Sequence, residues 1–141
     1  MFNKNLKESI LKEANDRCKG TLVSTLGIVF TGVGEHFLEA KMKVTPNLHQ
    51  PAGVLHGGAT AALAETVGSS AAAIFSMKKN HMLRGVELSI NHVRGISEGY
   101  VYANAVPVHM GRTMQLWKIS IIDEENRDIS FAKLTTLTID K

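Results

Sequence analysis

Residues 52–75 read AGVLHGGATAALAETVGSSAAAIF. Between Lys43 and Lys78 the chain carries a single formally charged side chain, Glu65, and it stands inside this stretch. The stretch is alanine-rich and long enough for about five turns of helix. A helix that is apolar nearly all round belongs in a core, where a carboxylate is costly unless something partners or uses it. Just upstream, His56-Gly57-Gly58 makes a small-residue entrance, and the free N–H groups of a first helical turn carry partial positive charge. The reading therefore predicts a central helix from about Gly58 to Met77. It places candidate chemistry at the entrance and at Glu65.

Outward from that helix the pattern changes. Upstream, Leu6, Ile10, Leu11 and Ala14 recur at helical spacing among charges, predicting a helix over about Asn5–Cys18 within an N-terminal helical segment, residues 1–19. In HFLEAKMKVT, Leu38, Ala40, Met42 and Val44 alternate with Phe37, Glu39, Lys41 and Lys43, a half-buried strand. TPNLHQPAG follows as a loop, by its two prolines and Asn47. Downstream the chain reads as strands to its end. GVELSINHV sets Val86, Leu88 and Ile90 against Glu87, Ser89 and Asn91, and VYANAVPV, MQLWKISIID and ISFAKLTTLTID behave similarly. Turn signals fall at Ser97-Glu98-Gly99, His109-Met110-Gly111 and Glu124-Glu125-Asn126. Short connections favour antiparallel neighbours. One long apolar helix with five or six strands makes an α+β domain, a curved antiparallel sheet around the helix.

Bulk properties narrow the function classes. The 141 residues suit one domain, residues 1–141, able to bury a real core. The start, MFNKNLKESILKEANDRCKG, has no apolar run of the signal-peptide kind, and Gly, Thr, Ser and Glu65 interrupt the apolar helix, against a membrane span. One cysteine, Cys18, forms no internal disulfide and fits a reducing, cytoplasmic setting. Net charge is +3, with Lys and Arg scattered. Lys78-Lys79, Arg84, Arg94 and Arg112 suit a small polyanionic ligand better than nucleic acid, which asks for a dense basic face and aromatic platforms. Thr31-Gly32-Val33-Gly34-Glu35 has the look of a phosphate loop, but a strand follows it, so a hairpin turn is expected there. His49, His56, His81, His92 and His109 lack the paired spacing of a zinc site, and no metal is expected.

Three pieces close in sequence have the makings of a hydrolytic site: Gln50 in the loop, His56-Gly57-Gly58 at the entrance, and Glu65 with Ser69 in the helix. Glu65 and Ser69 are i and i+4 and share a helix face, so Ser69 is placed to orient the carboxylate or a water on it. Glu65 suits a general base or a nucleophile, and entrance N–H groups suit an oxyanion, one such donor being typically worth about 3–4 kcal/mol. Gly57 and Glu65 are eight residues apart, about 12 Å along a helix axis, whereas a reacting carbonyl needs both groups within about 3 Å. Two antiparallel copies would set Gly57 of one subunit opposite Glu65 of the other. The spacing predicts a site shared across a twofold dimer interface.

NLHQPAGVLHGGATAALAETVGSSAA resembles the signature of hotdog-fold acyl-CoA thioesterases, in the branch whose glutamate sits on the central helix. That branch includes phenylacetate-pathway thioesterases, one type of 4-hydroxybenzoyl-CoA thioesterase, 1,4-dihydroxy-2-naphthoyl-CoA hydrolase and the enterobactin-synthesis proofreading thioesterase. ELSINHVRGISEG and VHMGRTMQLWKISI are similar to the strands that follow the helix in the last two. The resemblance runs from about residue 20 to the end. It implies a hotdog fold and hydrolysis of an acyl-CoA, aryl-CoA or acyl-carrier thioester. No cofactor is implied beyond the coenzyme A of the substrate. Glu65 would be nucleophile or general base, and the Gly57 N–H, assisted by His56, would polarise the carbonyl. Gln50 and Ser69 would orient the water or acyl group. His92, Arg94, Gly111, Arg112 and Thr113 fall where the family handles the acyl pocket and the nucleotide. Dimers that pair into a homotetramer are also implied. Ser70 stands where enterobactin-type members carry Met, so the acyl pocket differs there. Two other readings are a hotdog dehydratase or hydratase, whose His-Phe-Pro-Gly-like segment this chain lacks, and a non-catalytic acyl-CoA sensor, which would dispense with Glu65.

Overall fold

The computed structural model describes residues 2–76 and 81–139. Met77 and the Lys78-Lys79 pair lie outside the described residues. Helix α1 (Lys4–Arg17) begins at Asn3, whose side chain accepts the Leu6 N–H, and a short helix α2 (Leu22–Thr25) follows. Strands β1 (Val29–Gly34) and β2 (Phe37–Lys43) form a hairpin, a 3-10 turn covers Pro46–Leu48, and the long helix α3 spans Gly57–Ile74. Then come β3 (Met82–His92), β4 (Tyr100–Met110), β5 (Met114–Asp123) and β6 (Asp128–Ile139). All six strands form one antiparallel sheet in the order β1-β2-β4-β5-β6-β3. Its concave face packs against α3, which contacts every strand from β2 to β6.

In β2 the period-2 reading places the core correctly. Leu38, Ala40 and Met42 of β2 are buried and align across the sheet with Ala105, Ala103 and Val101 of β4. Trp117, Ile119, Ile121 and Leu134 continue that inward face, and Leu63, Ala64, Val67 and Ala71 of α3 fill it from above. Small residues let the helix sit low on the sheet. A Cβ at Gly68 would stand 2.6 Å from Leu134 Cδ2, so a larger residue there would force the leucine side chain to shift. Asn15 ties α1 to β1, with its Nδ2 donating to the Phe30 carbonyl and its Oδ1 accepting the Phe30 N–H.

Four expectations need correction. Helix α3 closes at Ile74, with Phe75 as its cap, three residues short of Met77. Gly32 and Gly34 lie inside β1, the first against the Glu39 side chain and the second against the Phe37 ring, and the turn falls on Glu35-His36. Val86 does not join Leu88 and Ile90 on the inner face. The β3–β6 register shifts between Gly85 and Glu87, which leaves Val86 at 53% exposure. Finally, β3 and β4 are consecutive but not neighbours: α3 carries the chain across the sheet, β3 docks outside β6, and β4 returns beside β2. Among the described residues strand β3 is thus an edge, hydrogen-bonded to β6 along one side.

Candidate active site

His56 opens α3 as its N-cap. Its Nδ1 accepts the Gly58 N–H at 2.7 Å, and its carbonyl accepts the N–H groups of Ala59 and Thr60. With Nδ1 accepting, a neutral His56 carries its proton on Nε2. Among the described residues the Gly57 N–H has no hydrogen-bond partner, so it remains an open donor at the positive end of the helix. The ring of His92, from the end of β3, lies against Gly57: a Cβ there would stand 2.8 Å from His92 Nε2. Gln50 is folded back on its own loop, its Oε1 accepting the Ala52 N–H. Gln50, Gly57, His92 and Arg94 meet in one cleft of about 370 Å³, together with Ser130.

Glu65 does not line that cleft. It sits two turns further along α3, half-buried rather than enclosed. Ser69 Oγ donates to Glu65 Oε1 at 3.1 Å, as the i,i+4 spacing requires. The carboxylate reaches the sheet at Gly85, close enough that a Cβ there would collide with Oε1. Glycine at the β3 bulge therefore makes the space that Glu65 occupies. Beyond Ser69 the helix borders a second hollow, with Ser70 and Ala73 facing Leu6, Ile10 and Ala14 of α1.

The predicted site residues thus fall into two groups, one at each end of β3. Gly57, Gln50 and Arg94 gather at its His92 end, while Glu65 and Ser69 lie at its Gly85 end. Seven residues, on the order of 20 Å of strand, separate His92 from Gly85. Gly111, Arg112 and Thr113 form the β4–β5 connection, where the Thr113 carbonyl accepts the Thr138 N–H and Thr138 pairs with Leu83. They belong to the Gly85 end and are not joined to His92 and Arg94.

A model of the thioesterase superfamily matches residues 52–130, from the loop before α3 into β6. The chain belongs to the thioesterase superfamily. It is 44% identical over 126 residues to the proofreading thioesterase EntH of Cronobacter sakazakii, covering 89% of this chain and 91% of that protein. The crystal structure of a thioesterase from Haemophilus influenzae superposes with a TM-score of 0.88 at 39% identity, over 92% of this chain and 90% of that one. The PaaI protein of Escherichia coli, from the phenylacetic acid degradation operon, shares the fold, with a TM-score of 0.82 at 19% identity over 95% and 96% of the two chains. The architecture is the hotdog fold of these thioesterases, as expected, and the reaction class is thioester hydrolysis.

Two residues in contact with the candidate site residues lay outside the sequence reading. Gly85 supplies the space for Glu65, and its only signal was a glycine in a strand. Ser130 is fully buried and hydrogen-bonds His92, with Oγ and Nδ1 2.8 Å apart. Its signal was a polar residue in the inward row Ser130, Ala132, Leu134, Thr136 of β6.

Proposed function

We propose that this chain hydrolyses acyl-CoA or aryl-CoA thioesters in a site completed by two copies. The observation that carries the reading is the division of groups between the ends of β3, beside an unpaired strand edge. An antiparallel pairing of two β3 edges centred near Leu88-Ser89 lays Gly85 of one copy by His92 of the other. Glu65 then faces the open Gly57 N–H of the neighbouring α3. The thioester carbonyl oxygen accepts the Gly57 N–H, and Glu65 attacks the carbonyl carbon or activates the water that does. The C–S bond breaks and the thiol leaves as coenzyme A; where Glu65 itself attacks, water then cleaves the resulting anhydride to the free acid. Ser69 holds the carboxylate, Gln50 orients the water or acyl group, and His56 keeps the helix entrance fixed. Arg94 of one copy and Gly111-Arg112-Thr113 of the other flank the entrance, suited to the phosphates of coenzyme A. No cofactor beyond the coenzyme A of the substrate is needed.

Pairing of two dimers into a tetramer is part of this reading. Exposed apolar side chains on the outer sheet face, Met114, Phe131 and Leu137, support it. So is a cytoplasmic location, in keeping with the lone thiol of Cys18. Among the described residues no helix is long and apolar enough to cross a membrane.

The test is free-thiol release across short-chain, long-chain and aromatic CoA thioesters, with wild type beside Glu65→Ala. Wild type should turn over at least one class, and Glu65→Ala should lose about 10²–10⁴-fold in kcat. Equal rates for the two proteins would sink the role of Glu65. Binding without turnover of any thioester would favour a sensor.

A further inference from the structure

We propose that Ser130 is a positioning residue for the reaction, holding His92 so that its Nε2–H points to the carbonyl site at Gly57. This rests on the thioesterase reading of the cleft. Ser130 and His92 are direct cross-strand partners of β6 and β3. They end an inward row whose other members, Phe30, Ala40, Ala103 and Ile121, are apolar. Ser130 has no exposed surface, and His92 Nδ1 is the one hydrogen-bond partner of its Oγ among the described residues.

That isolation decides the direction of the bond. A serine hydroxyl both donates and accepts. If Oγ accepted a proton from His92 Nδ1–H, its own hydrogen would be buried without an acceptor, which is unfavourable. Donation from Oγ to Nδ1 leaves nothing unpaired. It also fixes neutral His92 as the Nε2–H tautomer, with Nε2 against Gly57. The Gly57 N–H and the His92 Nε2–H then converge from helix and strand as two donors for one oxygen.

The test compares wild type, Ser130→Ala, Ser130→Cys, His92→Ala and the Ser130→Ala/His92→Ala double variant. Each is assayed for thiol release from benzoyl-CoA and hexanoyl-CoA and followed by thermal melting. Ser130→Ala should lower kcat about 10- to 100-fold, the scale expected of a misplaced group, with little change in KM or melting. Ser130→Cys, which keeps a weak donor of similar size, should recover part of the loss. On the His92→Ala background, Ser130→Ala should cost almost nothing. Imidazole nitrogen NMR should find His92 as the Nε2–H tautomer in wild type and as a mixture in Ser130→Ala. An undiminished kcat in Ser130→Ala, an equal loss without His92, or the same tautomer in both proteins would overturn the proposal. If wild type cleaves neither thioester, it is the substrate reading that has failed. The tautomer comparison then still decides the role of Ser130.

Discussion

The two ends of strand β3 are built differently. At the His92 end the candidate site is open and polar: a helix N-terminus with an N–H that is unpaired among the described residues, a histidine hydrogen-bonded to a buried serine, and a glutamine in an exposed loop. At the Gly85 end it is tight. A carboxylate sits where strand and helix nearly touch, held by Ser69 and admitted only because Gly85 has no side chain. Under the proposed function, one end would offer donors for a developing negative charge and the other the negative group that attacks. A single helix needs about 12 Å to present both. Complementary halves on one unpaired edge are what a twofold arrangement uses.

The largest expected effect comes from removing the attacking half. Glu65→Gln keeps shape and hydrogen bonding to Ser69 but not the charge, and kcat should fall about 10²–10⁴-fold, measured by thiol release. A smaller loss, below about tenfold, would mean the carboxylate merely fills its space. Next is Gly85→Ala, which drives a methyl group onto the Glu65 carboxylate. Because the carboxylate is the freer partner, activity should drop about a hundredfold, while stability changes by only ~1–3 kcal/mol. A loss of stability with full activity would show that Glu65 works from some other position.

The contrast also separates what the sequence could tell from what it could not. Strand β2 was legible because one face is buried and the other is not, so Leu38, Ala40 and Met42 alternate cleanly. Glu65 was legible as a lone charge in an apolar helix. The place of β3 was not. Its side chains are largely exposed in a single chain, so its alternation is weak, and its position outside β6 depends on α3 crossing the whole sheet. Local pattern carries no record of that crossing. Ser130 was hidden for the same reason, since a strand serine matters only once the pairing of β6 with β3 sets it opposite His92.

The smallest effect concerns support of the open end. The backbone N–H groups of Val93 and Arg94 hang on the Ile129 carbonyl, just past the Asp123–Arg127 turn. Burial alone would push the Asp123 carboxyl up, but the N–H groups of Arg127 and Glu125 and the Arg127 guanidinium outweigh it and hold the carboxyl below the usual range. A carboxyl lowered by folding adds stability that is present above its unfolded value and lost as pH falls through the folded one. Hydrogen exchange in residues 93–99 and 124–129 should therefore rise over that acid window in wild type. In Asp123→Asn it should be raised already at neutral pH and flat across the window. A wild-type-like acid response in Asp123→Asn would detach the turn from the cleft.

The central claim is that oxyanion donor and attacking group belong to different copies, and mixed dimers test it most directly. Glu65→Ala and Gly57→Pro subunits are each inactive alone under this account. Combined, they form one site with both halves intact and one with neither. Heterodimers purified with two different tags should regain up to about half of wild-type thiol release per dimer. Heterodimers as inactive as either parent would contradict a shared site.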